Sequence, residues 1–207
     1  MRSGDCLELL DGTGGAWRAT LDAGATPARA YATLGTFVAV GASDTGRHVT
    51  LILGHLKADK FDWVVQKATE LGVARIVPIV TGRSVAVGGR PDRWRRIAVE
   101  ATEQSGRTVV PRIDDPMPFR SSLAVGPPNS LRVACWEDEA ATAFRDAIAS
   151  ARVDAPVVVW VGPEGGISME EAHEFRASGV ATASLGPRIL RSETAAIVAV
   201  AQAVGVG

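Results

Sequence analysis

Apolar and polar positions along this chain fall into two regimes that meet near residue 47. Before it, the apolar runs are short and separated by turn formers. Asp5 to Leu10 alternates toward a strand, Asp11-Gly12-Thr13-Gly14-Gly15 is rich in residues that tolerate positive φ, and Ala16 to Leu21 returns as the second arm of a hairpin. Phe37 to Val40 reads as a further strand, and Gly41 to Gly46 has the composition of a linker. After residue 47, strand-length apolar runs alternate with helix-length amphipathic ones, which predicts an α/β layer fold on a largely parallel sheet. Strands are expected at Val49–Leu53, Ile76–Val80, Leu131–Trp136, Val157–Val161 and Ala181–Leu185. Helices are expected at Ala58–Leu71, from Pro91 to Ser105, at Ala140–Ala149, from Ser168 onward and at Ser192–Val204.

Local signals sharpen several of these elements. Phe61, Val64, Val65, Ala68 and Leu71 share one helical face, with Gly72 as the stop. Pro78 cannot donate to a ladder, which predicts an edge or bulged position for its strand. Val157 to Val161 carries no charge and reads as buried on both faces. Ser168 and Glu171 have capping-box spacing. Ala195, Ala196, Ala199, Ala201 and Ala203 make the last helix thin, fit for close packing against another backbone.

Composition sets bounds on this picture. With 207 residues, 46% hydrophobic and 22% charged, the chain suits one substantial domain plus a small one. No run approaches the ~20 apolar residues that span a bilayer and MRSGDCLELL has no apolar signal core, so a cytoplasmic protein is expected. Cys6, Cys135, His48, His55 and His173 are scattered, with no CxxC spacing, and neither a metal site nor a disulfide is expected. The net charge of −1 hides an asymmetry. Residues 57–112 hold eleven basic and six acidic groups, whereas 113–207 hold seven and twelve. The middle third would attract phosphate, or is simply a solvated basic surface.

Candidate chemistry gathers at strand ends. Gly162-Pro163-Glu164-Gly165-Gly166 follows a buried strand and precedes a capped helix, a form that suits either a ligand loop or a tight turn. Gly186-Pro187 with Arg188-Ile189-Leu190-Arg191 repeats the arrangement before the last helix, where Arg191 and Glu193 also fit a surface ion pair. Thr81-Gly82-Arg83-Ser84 follows a strand at the end where α/β folds place ligands. Arg93, Arg95 and Arg96 flank Trp94, which reads as core in preference to a stacking platform. Gly106 and Arg107 suffice as an ordinary helix C-terminus, with Arg107 at the negative end of the dipole.

GPEGG with its capped helix and LGPRILRSETA together resemble the ribosomal RNA small-subunit methyltransferase E family of the SPOUT superfamily, and the likeness takes in Lys57–Gly72, Ile76–Val85 and Ala101–Arg107. The resemblance implies a SPOUT-type α/β methyltransferase domain over residues 47–207, with a trefoil knot in its last strands and helix. Residues 1–46 would be an abridged PUA-like β domain that helps hold RNA, with the chain beginning partway into it. S-adenosyl-L-methionine is the implied cofactor, its contacts falling on Thr81, Trp136, Glu137, Gly162, Pro163, Glu164, Gly165, Gly166, Leu185, Gly186, Ile189, Leu190, Arg191, Thr194 and Ala195. The implied reaction is methylation of uridine N3 in 16S ribosomal RNA. Substrate contacts are expected from Lys60, Arg83, Arg93, Arg96, Gln104, Ser105 and Arg107.

Uridine N3 becomes a nucleophile only after losing its proton, and an arginine is the natural stabiliser of the resulting anion. Arg107 is the first expectation and Arg191 the second, with Glu103 or Glu193 as proton acceptor. Expected partners are 16S ribosomal RNA or the small subunit, and a second copy in a homodimer. Two other readings stand beside this one: a SPOUT methyltransferase acting on another RNA, and a catalytically silent RNA-binding or assembly module.

Overall fold

Val157, Val159 and Val161 pack into one apolar cluster, while Val158 and Trp160 pack into another on the opposite face of the sheet. Period-two alternation with both faces buried requires cover on each side, and that requirement shapes the larger part of the molecule. The computed structural model describes residues 2–22, 24, 29–38, 46–84 and 90–205.

A small antiparallel sheet comes first, with β1 (Cys6–Leu10), β2 (Ala16–Leu21) and β3 (Ala32–Val38) in that order. Asp11 organises the hairpin turn, since its Oδ1 accepts the N–H groups of Thr13 (2.7 Å) and Gly15 (2.9 Å). Those bonds hold its carboxyl below the usual range. The turn docks on the 108–110 segment through Gly14 N–H to Thr108 O and Val110 N–H to Gly12 O. The third strand is longer and starts earlier than Phe37, and the expected linker lies outside the described residues except for Gly46.

The larger sheet contains β4 (Val49–Gly54), β5 (Arg75–Val80), β6 (Arg112–Ile113), β7 (Met117–Pro118), β8 (Leu131–Cys135), β9 (Val157–Val161) and β10 (Ala181–Ala183). Its order is β10-β8-β9-β4-β5-β6, with β7 also on β5, and every pairing is parallel. Helices α1 (Ala58–Glu70), α2 (Pro91–Ser105), α4 (Phe144–Ser150) and α6 (Ser192–Val204) contribute to the cluster on one face. Short α3 (Phe119–Ser122) and α5 (Met169–Ala177) cover the other. No helix among the described residues is long and apolar enough to cross a membrane.

Pro78 sits inside this sheet, paired with Leu53 of β4. Ile76 O accepts the N–H of Asp114 on the far side of β5, and the nitrogen of Pro78, two residues on, turns to that same side. There β6 has ended at Ile113 and β7 begins only at Met117, so the missing N–H falls at a break in the neighbouring strand. The capping box is also present: Ser168 Oγ accepts Glu171 N–H, and Glu171 Oε2 accepts Ser168 N–H. Gly106, at φ 69°, closes α2 in the left-handed form.

One expected helix begins late. Residues 140–143 are drawn to the sheet edge, where Ala143 bridges Ser184, Phe144 N–H bonds Ser184 O and Ser184 N–H bonds Thr142 O. Glu139 anchors the segment by accepting from Ala141 N–H (2.9 Å), Thr182 Oγ1 (2.5 Å) and Arg176 Nη2 (3.1 Å). Edge pairing therefore outcompetes the first helical turn, and α4 starts at Phe144. After β10 at the sheet edge the chain returns to the centre, where α6 packs on α1, β4 and β9. Ala196, Ala199 and Ala203 are buried in that contact, so the small-residue face of α6 is spent within the chain.

Candidate ligand cleft and its surroundings

The C-terminal ends of β8, β9 and β10 open onto two adjoining cavities. The larger, about 380 Å³, is lined by Gly162 to Gly166, Ile189 to Ser192, Lys60, Cys135, Glu137, Val161 and Ala195. The smaller, about 100 Å³, is lined by Trp136, Ser184 to Leu190, and again Cys135, Glu137 and Ala195. Together they reach the size range of small-molecule sites, about 300–1,000 Å³. Of the expected cofactor residues the two cavities gather all except Thr81 and Thr194.

The glycines of the 162–166 loop serve loop–loop packing. A Cβ on Gly162 would lie 3.0 Å from Gly166 C, one on Gly165 would lie 2.9 Å from Arg83 Cβ, and one on Gly166 would run into the Glu137 carboxylate. Gly166 also holds φ 72°, a conformation side chains rarely adopt. The sequence leaves this loop open between a ligand loop and a tight turn; in the structure the side on which each of these Cβ atoms would stand faces protein. Beneath them lies Gly54 at the end of β4, where a Cβ would stand 2.5 Å from Pro163 Cδ and 2.8 Å from Gly162 C. Gly54 was not among the expected site residues, although a glycine closing an apolar strand was the signal for it.

Thr81 supports the cleft from behind. Its N–H bonds Ser84 Oγ (3.0 Å) and its Oγ1 accepts Arg83 N–H (3.2 Å), shaping a turn whose Arg83 Nη1 donates to Gly165 O (3.1 Å). Glu171 ties the same turn to the head of α5 through Gly82 N–H (3.2 Å). Thr194 lines a separate cavity of about 440 Å³ with Asp59, Lys60, Trp63, Arg191 and Glu193.

Lys60 stands between the glycine loop and α6, 3.3 Å from Glu164 Oε1 and 3.5 Å from Glu193 Oε2. Glu193 Oε2 is buried and makes no hydrogen bond, so the contact is ionic only. Burial raises the Glu164 pKa, but backbone donors including Lys57 N–H, together with Lys60, outweigh it and leave the carboxyl below its ordinary value. Burial likewise pushes the thiol of Cys135 up, well out of the reactive range.

Arg191 is exposed and makes no ion pair among the described residues, so the expected bridge to Glu193 is taken by Lys60 instead. Arg107 is 5% exposed and donates through Nη1 to Thr69 O (2.8 Å) and Val73 O (3.0 Å), at the end of α1. It lines another cavity, with Gly72 and Val204, and not the cleft. Glu103 and Gln104 are exposed on α2, and Ser105 Oγ bonds Ala101 O. Arg93 pairs with Asp62 (2.6 Å) and Arg95 with Asp92 and Asp115, while Arg96 is exposed without an ion pair among the described residues. Much of the basic excess in the middle third is thus neutralised locally. Trp94 is core, its ring centre 4.1 Å from that of Phe61 and the two planes tilted by 30°.

His55 follows Gly54 and lies against Phe61 and Trp94, each 5.9 Å between ring centres. Burial lowers its pKa, opposed by Glu164. A histidine whose folded pKa is depressed contributes stability that is complete above its unfolded value of 6.5 and is lost as pH falls through the folded value. The unfolding midpoint is therefore expected to drop as pH falls from about 7 to 5, and His55→Leu to flatten that slope in thermal melts.

Comparison with known proteins points the same way as this geometry. The RNA methyltransferase domain family matches residues 43–204. The chain is 34% identical over 161 residues to ribosomal RNA small subunit methyltransferase E of Bacillus subtilis, and 32% identical over 206 residues to that of Synechocystis. The first alignment takes in 73% of this chain and the second 98%, and the chain spans 63% and 66% of the length of those relatives. In structure it is similar to the Neisseria gonorrhoeae ribosomal RNA small subunit methyltransferase E bound to S-adenosyl methionine, with TM-score 0.86 and 31% identity over 97% of this chain and 83% of that one. A Legionella pneumophila structure in complex with the same cofactor aligns at TM-score 0.88 and 27% identity, covering 100% of this chain and 85% of that one.

Proposed function

Because the chain belongs to the RNA methyltransferase family, in its ribosomal RNA small subunit methyltransferase E branch, we propose that it methylates N3 of a uridine in small-subunit ribosomal RNA with S-adenosylmethionine as donor. The observation that carries this reading is the pair of adjoining cavities at the ends of β8, β9 and β10, walled by two glycine loops. The residues present fit such a cofactor. Trp136 Nε1 is buried without a hydrogen-bond partner beside the smaller cavity, and Gly186 at φ 127° turns the loop that lines it. Trp136, Leu185, Ile189 and Leu190 would hold the adenosyl part, and Glu137 with the 162–166 loop the rest. When bound, the cofactor supplies a methyl group on a positively charged sulfur.

The chain's own groups would prepare the base. Arg191 lines both the larger cavity and the one beside it, where its guanidinium can neutralise charge spreading onto a base oxygen. Glu193 Oε2, buried without a hydrogen bond, is placed to accept the N3 proton, with Lys60 beside it to moderate the carboxylate charge. Arg191 and Glu193 thus take precedence over Arg107 and Glu103 in this reading, because they line the cavity. Holding N3 in line with the methyl group would contribute much of the rate.

The remaining expectations are part of the same proposal. The return of α6 from the sheet edge to its centre would close a trefoil knot around the 184–191 loop. Residues 1–46 would form a PUA-like portion that contacts RNA from beyond the 108–110 segment, and 47–207 the methyltransferase domain. A homodimer would meet largely through the knot helix α6. The substrate would place the protein in the cytoplasm.

Purified protein, S-adenosylmethionine and undermodified small ribosomal subunits should yield 3-methyluridine on nuclease digestion and mass spectrometry. A methyl group on ribose, or on another base, would overturn the assignment. No transfer together with no calorimetric binding of the cofactor would favour a silent RNA-binding module.

A further inference from the structure

Trp63 is 43% exposed, whereas Trp94, Trp136 and Trp160 are at most 6% exposed. Phe61, Val64, Val65 and Ala68 form the packed face of α1, and the Trp63 indole stands outside that cluster. It shares its side of α1 with Asp59 and Lys60, one turn earlier, and all three line the 440 Å³ cavity against Arg191, Glu193 and Thr194 of the α6 head. Lys60 and Arg191 also line the larger ligand cavity, so the two spaces share a wall.

We infer that this cavity is the nucleobase subsite, in which one face of an unpaired pyrimidine stacks on Trp63 while its polar edge meets Arg191 and Glu193. The inference rests on the methyltransferase reading above and deepens it. The chemistry of the walls selects the occupant. Two cations, Lys60 and Arg191, face two carboxylates, Asp59 and Glu193, which disfavours a phosphate and suits an uncharged ring with donors and acceptors along one edge. An exposed indole offers the flat apolar surface on which unpaired bases stack. Continuity with the cofactor cavity places such a base where its edge can be approached from the neighbouring space.

The test separates the subsite from the activity. In full-length protein with S-adenosylhomocysteine present, titration with a single-stranded uridine-containing RNA oligonucleotide should quench indole emission, and Trp63→Phe should remove most of that response. In methyl transfer, Trp63→Ala should raise KM for small-subunit RNA about 10-fold, as loss of one stacked base predicts, with calorimetric affinity for S-adenosylmethionine changed less than about twofold. Trp63→Phe, which keeps a flat ring, should recover most of the loss. Unchanged KM in Trp63→Ala, or quenching that persists in Trp63→Phe, would overturn the subsite. So would a Trp63→Ala variant whose only change is dissociation of a dimer in sedimentation, since the indole would then be a contact between copies. If wild-type protein transfers no methyl but the Trp63-dependent quenching remains, the subsite stands and the proposed reaction fails.

Discussion

Gly54→Val is expected to abolish cofactor binding, seen as a loss of more than ~100-fold in calorimetric affinity and a fall in the unfolding midpoint. The reason lies under the glycine loop. Any Cβ at Gly54 would press on Pro163 Cδ at 2.5 Å and on Gly162 C at 2.8 Å, and these belong to a main chain packed over the end of β4. Overpacking of this kind costs about 1–3 kcal/mol even where side chains can give way. Here relief requires lifting the loop, and Glu164 would rise with it, breaking its contacts with Lys57 N–H and Lys60. Both walls of the larger cavity would then shift. Gly82→Ala is the control: nothing lies within 4 Å of its Cβ, so cofactor affinity and stability should stay near wild type. Undiminished binding by Gly54→Val would mean that the loop is free to reposition without harm to the site.

The layout of the α/β layers was legible because each buried strand and amphipathic helix carries its own period. Val157–Val161 and Ser192–Val204 are found at the predicted bounds, and Ser168 with Glu171 forms the cap that their spacing announced. Elements that depend on a partner were not legible. Strands β6 and β7 are two residues each and exist only as neighbours of β5, and residues 140–143 lose helix to the pull of the β10 edge. The same division runs through the candidate site. Glycine loops and strand ends mark a cleft from sequence, but which side of a glycine faces protein is a matter of packing, as Gly165 against Arg83 illustrates. Arg107 and Arg191 show the limit most clearly, because a one-dimensional pattern cannot tell a buried guanidinium from an exposed one.

That difference sets the second large effect. Arg107→Ala should act on the fold, since Val73 O would lose a buried donor and Thr69 O one of its donors, at a cost of about 2–3 kcal/mol read from denaturant unfolding. Its residual activity, corrected for the folded fraction, should be close to that of the parent. Arg191→Ala should do the reverse. The side chain is exposed and carries no ion pair among the described residues, so stability should change by less than about 0.5 kcal/mol. Its loss would leave the developing charge on the base oxygen without a neutralising group, lowering kcat about 100-fold or more with a much smaller change in KM. Arg191→Lys should restore part of the rate, because charge returns without the planar fork. An Arg107→Ala protein that is fully stable yet inactive, beside an Arg191→Ala protein that turns over normally, would return the catalytic role to the end of α2 and require a second copy to bring that end to the cleft.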